Sequence, residues 1–190
     1  MTALATATTP LVRRREVSWD DPLVGAALAQ QMSGIDYLRA LVDGHIPRPP
    51  IAALLGMTIT TVEPGRATFL LKVGEHLYNP IGSVHGGVFC AALDSAMGCA
   101  VHSALPLGQA YTTLELHVNL IKGLRVDTPT VTAEGELLSL GRRVATASGR
   151  LVGPDGTLYA HATTTCLIFE PPLAARLPDD AQPEEDANGD

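Results

Sequence analysis

The run Gly86-Gly87-Val88-Phe89-Cys90-Ala91-Ala92-Leu93-Asp94-Ser95-Ala96-Met97-Gly98-Cys99-Ala100-Val101 decides how this chain is read. It is apolar nearly all round, so a helix built from it is wrapped by protein rather than laid on a surface. One charge interrupts it. A carboxylate in mid-helix is costly to bury unless it is paired or functional. Asp94 follows Gly87 by seven residues, about two helical turns, which puts both on the same face. The start of a helix offers free backbone N–H groups and a partial positive charge. Two glycines there let a carbonyl approach the backbone with no Cβ in the way.

That combination suits thioester hydrolysis, which needs donors aimed at a developing oxyanion and a base or nucleophile nearby. One such donor contributes roughly 3 kcal/mol in the transition state. A structural reading stands beside it: paired glycines serve a tight turn, and Asp94 is a hydrogen-bond partner for Ser95 or for a neighbouring strand. His85 taken alone is an ordinary structural histidine.

Outward from the helix, the hydrophobic period changes. Upstream, Met57–Val62 and Ala67–Val73 read as strands joined by a turn at Glu63-Pro64-Gly65-Arg66. A loop, Tyr78-Asn79-Pro80-Ile81-Gly82, leads into the helix. Downstream, Leu114, Leu116, Val118 and Leu120 alternate with Thr113, Glu115, His117 and Asn119, the pattern of a half-buried strand. Val131–Leu138 is another strand, and Val144–Val152 pairs with Leu158–Phe169 over Gly153-Pro154-Asp155-Gly156. The order is β-β-α-β-β-β-β, an α+β chain with one long helix and an antiparallel sheet.

Before these elements, Pro22–Met32 and Ser33–Val42 carry helical spacing, Gly44 is a stop, and Ile46–Pro50 is a Pro-rich connector. The expected organisation is a disordered segment over 1–20, a helical extension over 21–50, the main domain over 51–169 and a disordered acidic tail over 170–190.

The net charge of -7 belongs mostly to that tail, where Glu170, Asp179, Asp180, Glu184, Glu185, Asp186 and Asp190 face only Arg176. The rest is close to neutral, with no broad basic face for nucleic acid. No apolar run has the 18 or so residues of a membrane span. Arg13 to Arg15 is followed by a polar stretch and not by the apolar core of a signal peptide. Cys90, Cys99 and Cys166 are an odd number without metal spacing, and a reduced, cytoplasmic setting is expected. No histidine pair has ligand spacing, so no metal is expected. There is also no nucleophile elbow and no phosphate loop.

The run His76-Leu77-Tyr78-Asn79-Pro80-Ile81-Gly82-Ser83-Val84-His85-Gly86-Gly87, followed by Leu93-Asp94, resembles the signature of hotdog-fold acyl-CoA thioesterases of the phenylacetate-pathway (PaaI) type. Thr112-Thr113-Leu114-Glu115-Leu116-His117-Val118-Asn119 is similar to that family's strand after the helix, and the resemblance runs from about Leu54 to Phe169.

The resemblance implies a hotdog fold, an antiparallel sheet wrapped around the central helix. It also implies a homodimer or homotetramer whose active sites lie between subunits. Asp94 becomes a general base or a nucleophile, and the Gly86 N–H, with Gly87, polarises the carbonyl. Asn79 orients the water or the carboxylate, His85 supports the loop and the thioester, and Thr113 holds the water.

Coenzyme A is then part of the substrate rather than a cofactor, and its phosphates need cations. Lys122, Arg125, Arg142 and Arg143 are candidates, with Arg142 and Arg143 preferred. Relatives often carry Arg-Pro where this chain has Lys122-Gly123. The expected substrate is an aromatic or medium-chain acyl-CoA, given room by Ala91, Ala92 and Ala96. Alternatives are a non-catalytic acyl-CoA-binding module and a hotdog enoyl-CoA hydratase, though the dyads such hydratases use are not found here.

Overall fold

The computed structural model describes residues 11–128 and 130–171. Three short helices, α1 (Pro22–Ala29), α2 (Gly34–Val42) and α3 (Pro50–Leu55), precede β1 (Met57–Glu63) and β2 (Arg66–Lys72). A 3-10 turn over Glu75–Leu77 leads to α4 (Gly86–His102). Four strands follow: β3 (Ala110–Leu120), β4 (Thr130–Leu140), β5 (Val144–Val152) and β6 (Leu158–Phe169). They form one six-stranded sheet in the order β1-β2-β4-β5-β6-β3, with every pairing antiparallel. The chain therefore leaves the β2 side through α4 and re-enters at the opposite edge as β3. That crossing lays α4 over β2 to β6. The expected α+β hotdog architecture is the one observed.

The sheet can take the helix because both are built from small residues where they meet. Ala92, Ala96 and Ala100 are fully buried beside Leu93, Met97 and Val101. Gly135 on β4 stands directly opposite Gly149 on β5. A Cβ on Gly135 would fall 2.2 Å from the Ala96 carbonyl oxygen, and one on Gly149 would fall 2.9 Å from Met97 Cγ. The glycine pair is thus a trough in the sheet in which α4 lies.

The helix is not wrapped on every side, as its composition led us to expect. Gly87 is exposed, and Cys90, Ala91, Asp94, Ser95 and Cys99 are only half-buried. These positions recur at helical spacing as one open stripe.

The N-terminal helices form as expected, capped by the Asp21 carboxylate on the Leu23 N–H and by the Ser33 hydroxyl on the Asp36 N–H. Leu38 and Leu41 of α2 pack into the core, and α2 lies on β1 and α4. α3 begins at the end of the expected Pro-rich connector and stops at Gly56, whose φ of 73° is left-handed. Six residues are too few to show a period. Residues 11–20, expected disordered, lie along the domain and are tied down by Arg15, which donates to the Leu54 and Ala53 carbonyls at 2.6 and 3.0 Å. The expected disorder at 1–10 and over the tail from 172 falls outside the described residues.

Candidate active site

Asp94 and Thr113 are brought together. The Thr113 hydroxyl donates to Asp94 Oδ1 at 2.8 Å. A strand of strict alternation cannot place Thr113 on the same face as Leu116 and Val118, because 113 is odd and they are even. The register of β3 against β6 shifts between Thr113 and Glu115. This bulge at Leu114 inserts one residue and rotates Thr113 toward α4. The face expected from Leu114, Leu116, Val118 and Leu120 is accordingly split. Leu116 and Val118 pack against the core, while Leu114 and Leu120 are 59% and 54% exposed.

Ser95 is not the partner of Asp94, since its hydroxyl donates instead to the Ala91 carbonyl at 2.8 Å. Among the described residues Asp94 Oδ2 makes no protein hydrogen bond, which leaves one carboxylate oxygen positioned and the other open. Its neighbours are weak acids kept neutral. Burial pushes the Cys99 thiol up to about 12, although Cys99 keeps some exposed surface, and the Asp94 charge pushes the same way. Tyr111 is likewise held well above the ordinary phenol value, first by burial and then by Cys99 and Asp94. Burial raises Cys166 as well.

The start of α4 is organised by His85. Its Nδ1 accepts the Gly87 N–H at 2.9 Å, the bond of an N-cap residue. An accepting Nδ1 places the ring proton on Nε2. The Gly87 donor is therefore already engaged, which removes it from the pair of carbonyl-polarising N–H groups expected above. The Gly86 N–H, by contrast, has no acceptor among the described residues, and Gly86 is the first residue of the helix. Asn79 is held within its own loop: Oδ1 accepts from the Ile81 and Ser83 N–H groups, and Nδ2 donates to Ser83 Oγ at 3.2 Å. That Asx turn shapes the approach to His85.

Neither Gly86 and Asp94 nor the four basic candidates meet within one chain. Gly86 and Asp94 share a face, but eight residues of helix separate them by about 12 Å, too far to serve one carbonyl. The basic candidates are also divided. Lys122 and Arg125 follow the end of β3, and Lys122 lies 5.5 Å from the ring centre of Tyr159. The Arg142–Arg143 turn lies near the start of β3: the Arg143 carbonyl accepts from Ile168, which pairs with Tyr111. About nine strand residues separate the two ends, roughly 30 Å. All four are exposed.

An antiparallel sheet wrapped on one long helix defines a hotdog domain, here with a His-Gly-Gly start to the helix and a hydroxyl-held carboxylate halfway along it. Residues 81–160 match the family model described as Thioesterase superfamily. That match takes in α4 from its first residue and runs through β3, β4 and β5 into the start of β6. Over 139 residues the chain is 29% identical to a Halobacterium salinarum protein named as an esterase, covering 70% of this chain and 90% of that one. It is 29% identical over 80 residues to the 1,4-dihydroxy-2-naphthoyl-CoA hydrolase of Listeria monocytogenes, covering 42% of this chain and 65% of that enzyme. The structure is similar to that of a phenylacetic acid degradation-related protein from Ralstonia eutropha. The TM-score there is 0.63 at 29% identity, with 69% of this chain and 98% of that one covered.

Proposed function

We propose that this chain is an acyl-CoA thioesterase of the PaaI type, acting on aromatic or medium-chain acyl-CoAs with no further cofactor. The match to the superfamily model and the hydrolase relative support thioester hydrolysis as the reaction class. The observation that carries the finer reading is the pair of complementary half-sites: an uncommitted Gly86 N–H at a helix start and a Thr113-held Asp94 with one free oxygen.

The half-sites are joined by a second copy of the chain. β3 is an edge strand with exposed Leu114 and Leu120, and the open stripe of α4 lies beside it. An antiparallel, two-fold pairing of β3 with itself sets the Gly86 end of one protomer against the Asp94 end of its partner. The same operation brings the Arg142–Arg143 turn of one copy toward Lys122 and Arg125 of the other, which reunites the cations that one chain keeps apart.

In that site the Gly86 N–H and the positive end of α4 take up charge developing on the thioester oxygen. His85, with Nδ1 engaged by the Gly87 N–H, keeps its Nε2–H to support the thioester. Asp94, aimed by Thr113, either draws a proton from the attacking water or attacks the carbonyl carbon itself to give a mixed anhydride. The thiolate of coenzyme A leaves and is protonated; on the first route the free acid remains, and on the second water hydrolyses the anhydride to release the acid and regenerate Asp94. Among the described residues no helix is long and apolar enough to cross a membrane, and we place the reaction in the cytoplasm.

The test is a panel of aromatic, medium-chain and short acyl-CoAs, followed by loss of thioester absorbance. Turnover of aromatic or medium-chain members supports the reading. Tight binding without turnover of any member would make the protein a binding module.

A further inference from the structure

Residues 11–20 contain one side chain that is not exposed, Val17. The segment around it is fastened on two sides. Arg15 is held by the carbonyls that end α3, and Arg13 forms an ion pair with Glu75 of the 3-10 turn. Beside Arg15, which is part of its lining, lies a cleft of about 680 Å³. Its walls include Val17, Leu54 and Leu55 of α3, and Val88 and Ala91 of α4, and it reaches His85 and Gly87.

The residues on either side of Gly86 therefore line this cleft. A thioester held on the Gly86 N–H sends one of its two arms into it, the acyl group or the pantetheine. The walls favour the acyl group. They are largely aliphatic, and the volume is that of a small-molecule pocket. Arg15 has its guanidinium on two carbonyls, while the exposed Lys122 and Arg125, better placed for phosphate, do not line the cleft.

We propose that the 13–17 strap is the outer wall of the acyl pocket and that Val17 limits the acyl chain length the enzyme accepts, an inference that rests on the acyl-CoA reading above. Arg15 acts as a positioning residue, holding the strap against α3.

The experiment compares wild type, Val17→Trp and Arg15→Gln on acetyl-, hexanoyl- and decanoyl-CoA. Binding of the matching non-hydrolysable thioether analogues is measured by calorimetry in parallel. Val17→Trp is expected to lower the decanoyl-to-acetyl ratio of kcat/KM by about fourfold for each excluded methylene, with the same trend in Kd. Arg15→Gln is expected to raise KM for decanoyl-CoA more than it lowers kcat. An equal loss at every chain length would assign the cleft to pantetheine and overturn the proposal, as would an unchanged ratio. If wild type binds the analogues with this chain-length dependence but hydrolyses nothing, the pocket stands and the hydrolase reading falls. If wild type binds none of them, the pocket falls as well.

Discussion

At the scale of single residues, the site depends on which hydrogen-bonding groups are spent and which are left. His85 uses the Gly87 donor and leaves that of Gly86, a division the His-Gly-Gly triplet does not reveal by itself. Gly86 offers an unusual test, because it is the first residue of α4, where proline is tolerated. His85 has a ψ of 136°, as a residue before proline requires. Gly86→Pro thus removes one N–H and leaves the helix in place, with Leu120 Cδ1 moving a few tenths of an ångström to admit the new Cβ. We expect kcat to fall about a hundredfold or more with little change in circular dichroism or melting temperature. Thr113→Val keeps shape and removes the hydroxyl from Asp94. Hydrogen bonds to charged groups are worth about 1.5–3 kcal/mol, so kcat should drop at least about tenfold while KM holds. Asp94 stood out as the lone charge of an apolar helix. The resemblance gave Thr113 only as a holder of the water; its bond to Asp94 was not expected, since alternation along the strand turns Thr113 away.

At the scale of elements, strands and helices were legible because their periods differ and because turn residues punctuate them. Three things were not. α3 is shorter than two turns. The bulge in β3 leaves no residue-type signal, since Leu114 continues the apolar alternation that the backbone abandons. The facing glycines of β4 and β5 are far apart in sequence, and only pairing reveals them as one trough. Gly135→Ala tests that trough. Its Cβ would meet backbone atoms of Ala96 and Met97, which cannot rotate away. Denaturant unfolding should show a loss at the upper end of the ~1–3 kcal/mol that overpacking costs. A neutral result would mean that α4 does not sit so close to the sheet.

At the scale of the whole molecule, the proposed reaction requires that two half-sites about 12 Å apart on one helix be completed by a second copy. The spacing of about two helical turns already carries that separation, whereas the second copy came only through family resemblance. Equal amounts of Gly86→Pro and Asp94→Asn protein, each inactive, should recover activity on being unfolded and refolded together. In a mixed dimer one of the two sites is intact, so random assembly restores about a quarter of wild-type activity. No recovery, with mixed dimers present, would place both residues in one chain's site. The claim beneath all of this is that Asp94 performs chemistry on a thioester. Its most direct test is the turnover of the best acyl-CoA by wild type and by Asp94→Asn, with folding and oligomer size matched. The account predicts that the variant binds substrate and loses at least about a hundredfold in kcat. A folded variant that keeps wild-type turnover would contradict it and leave Asp94 a structural partner of Thr113.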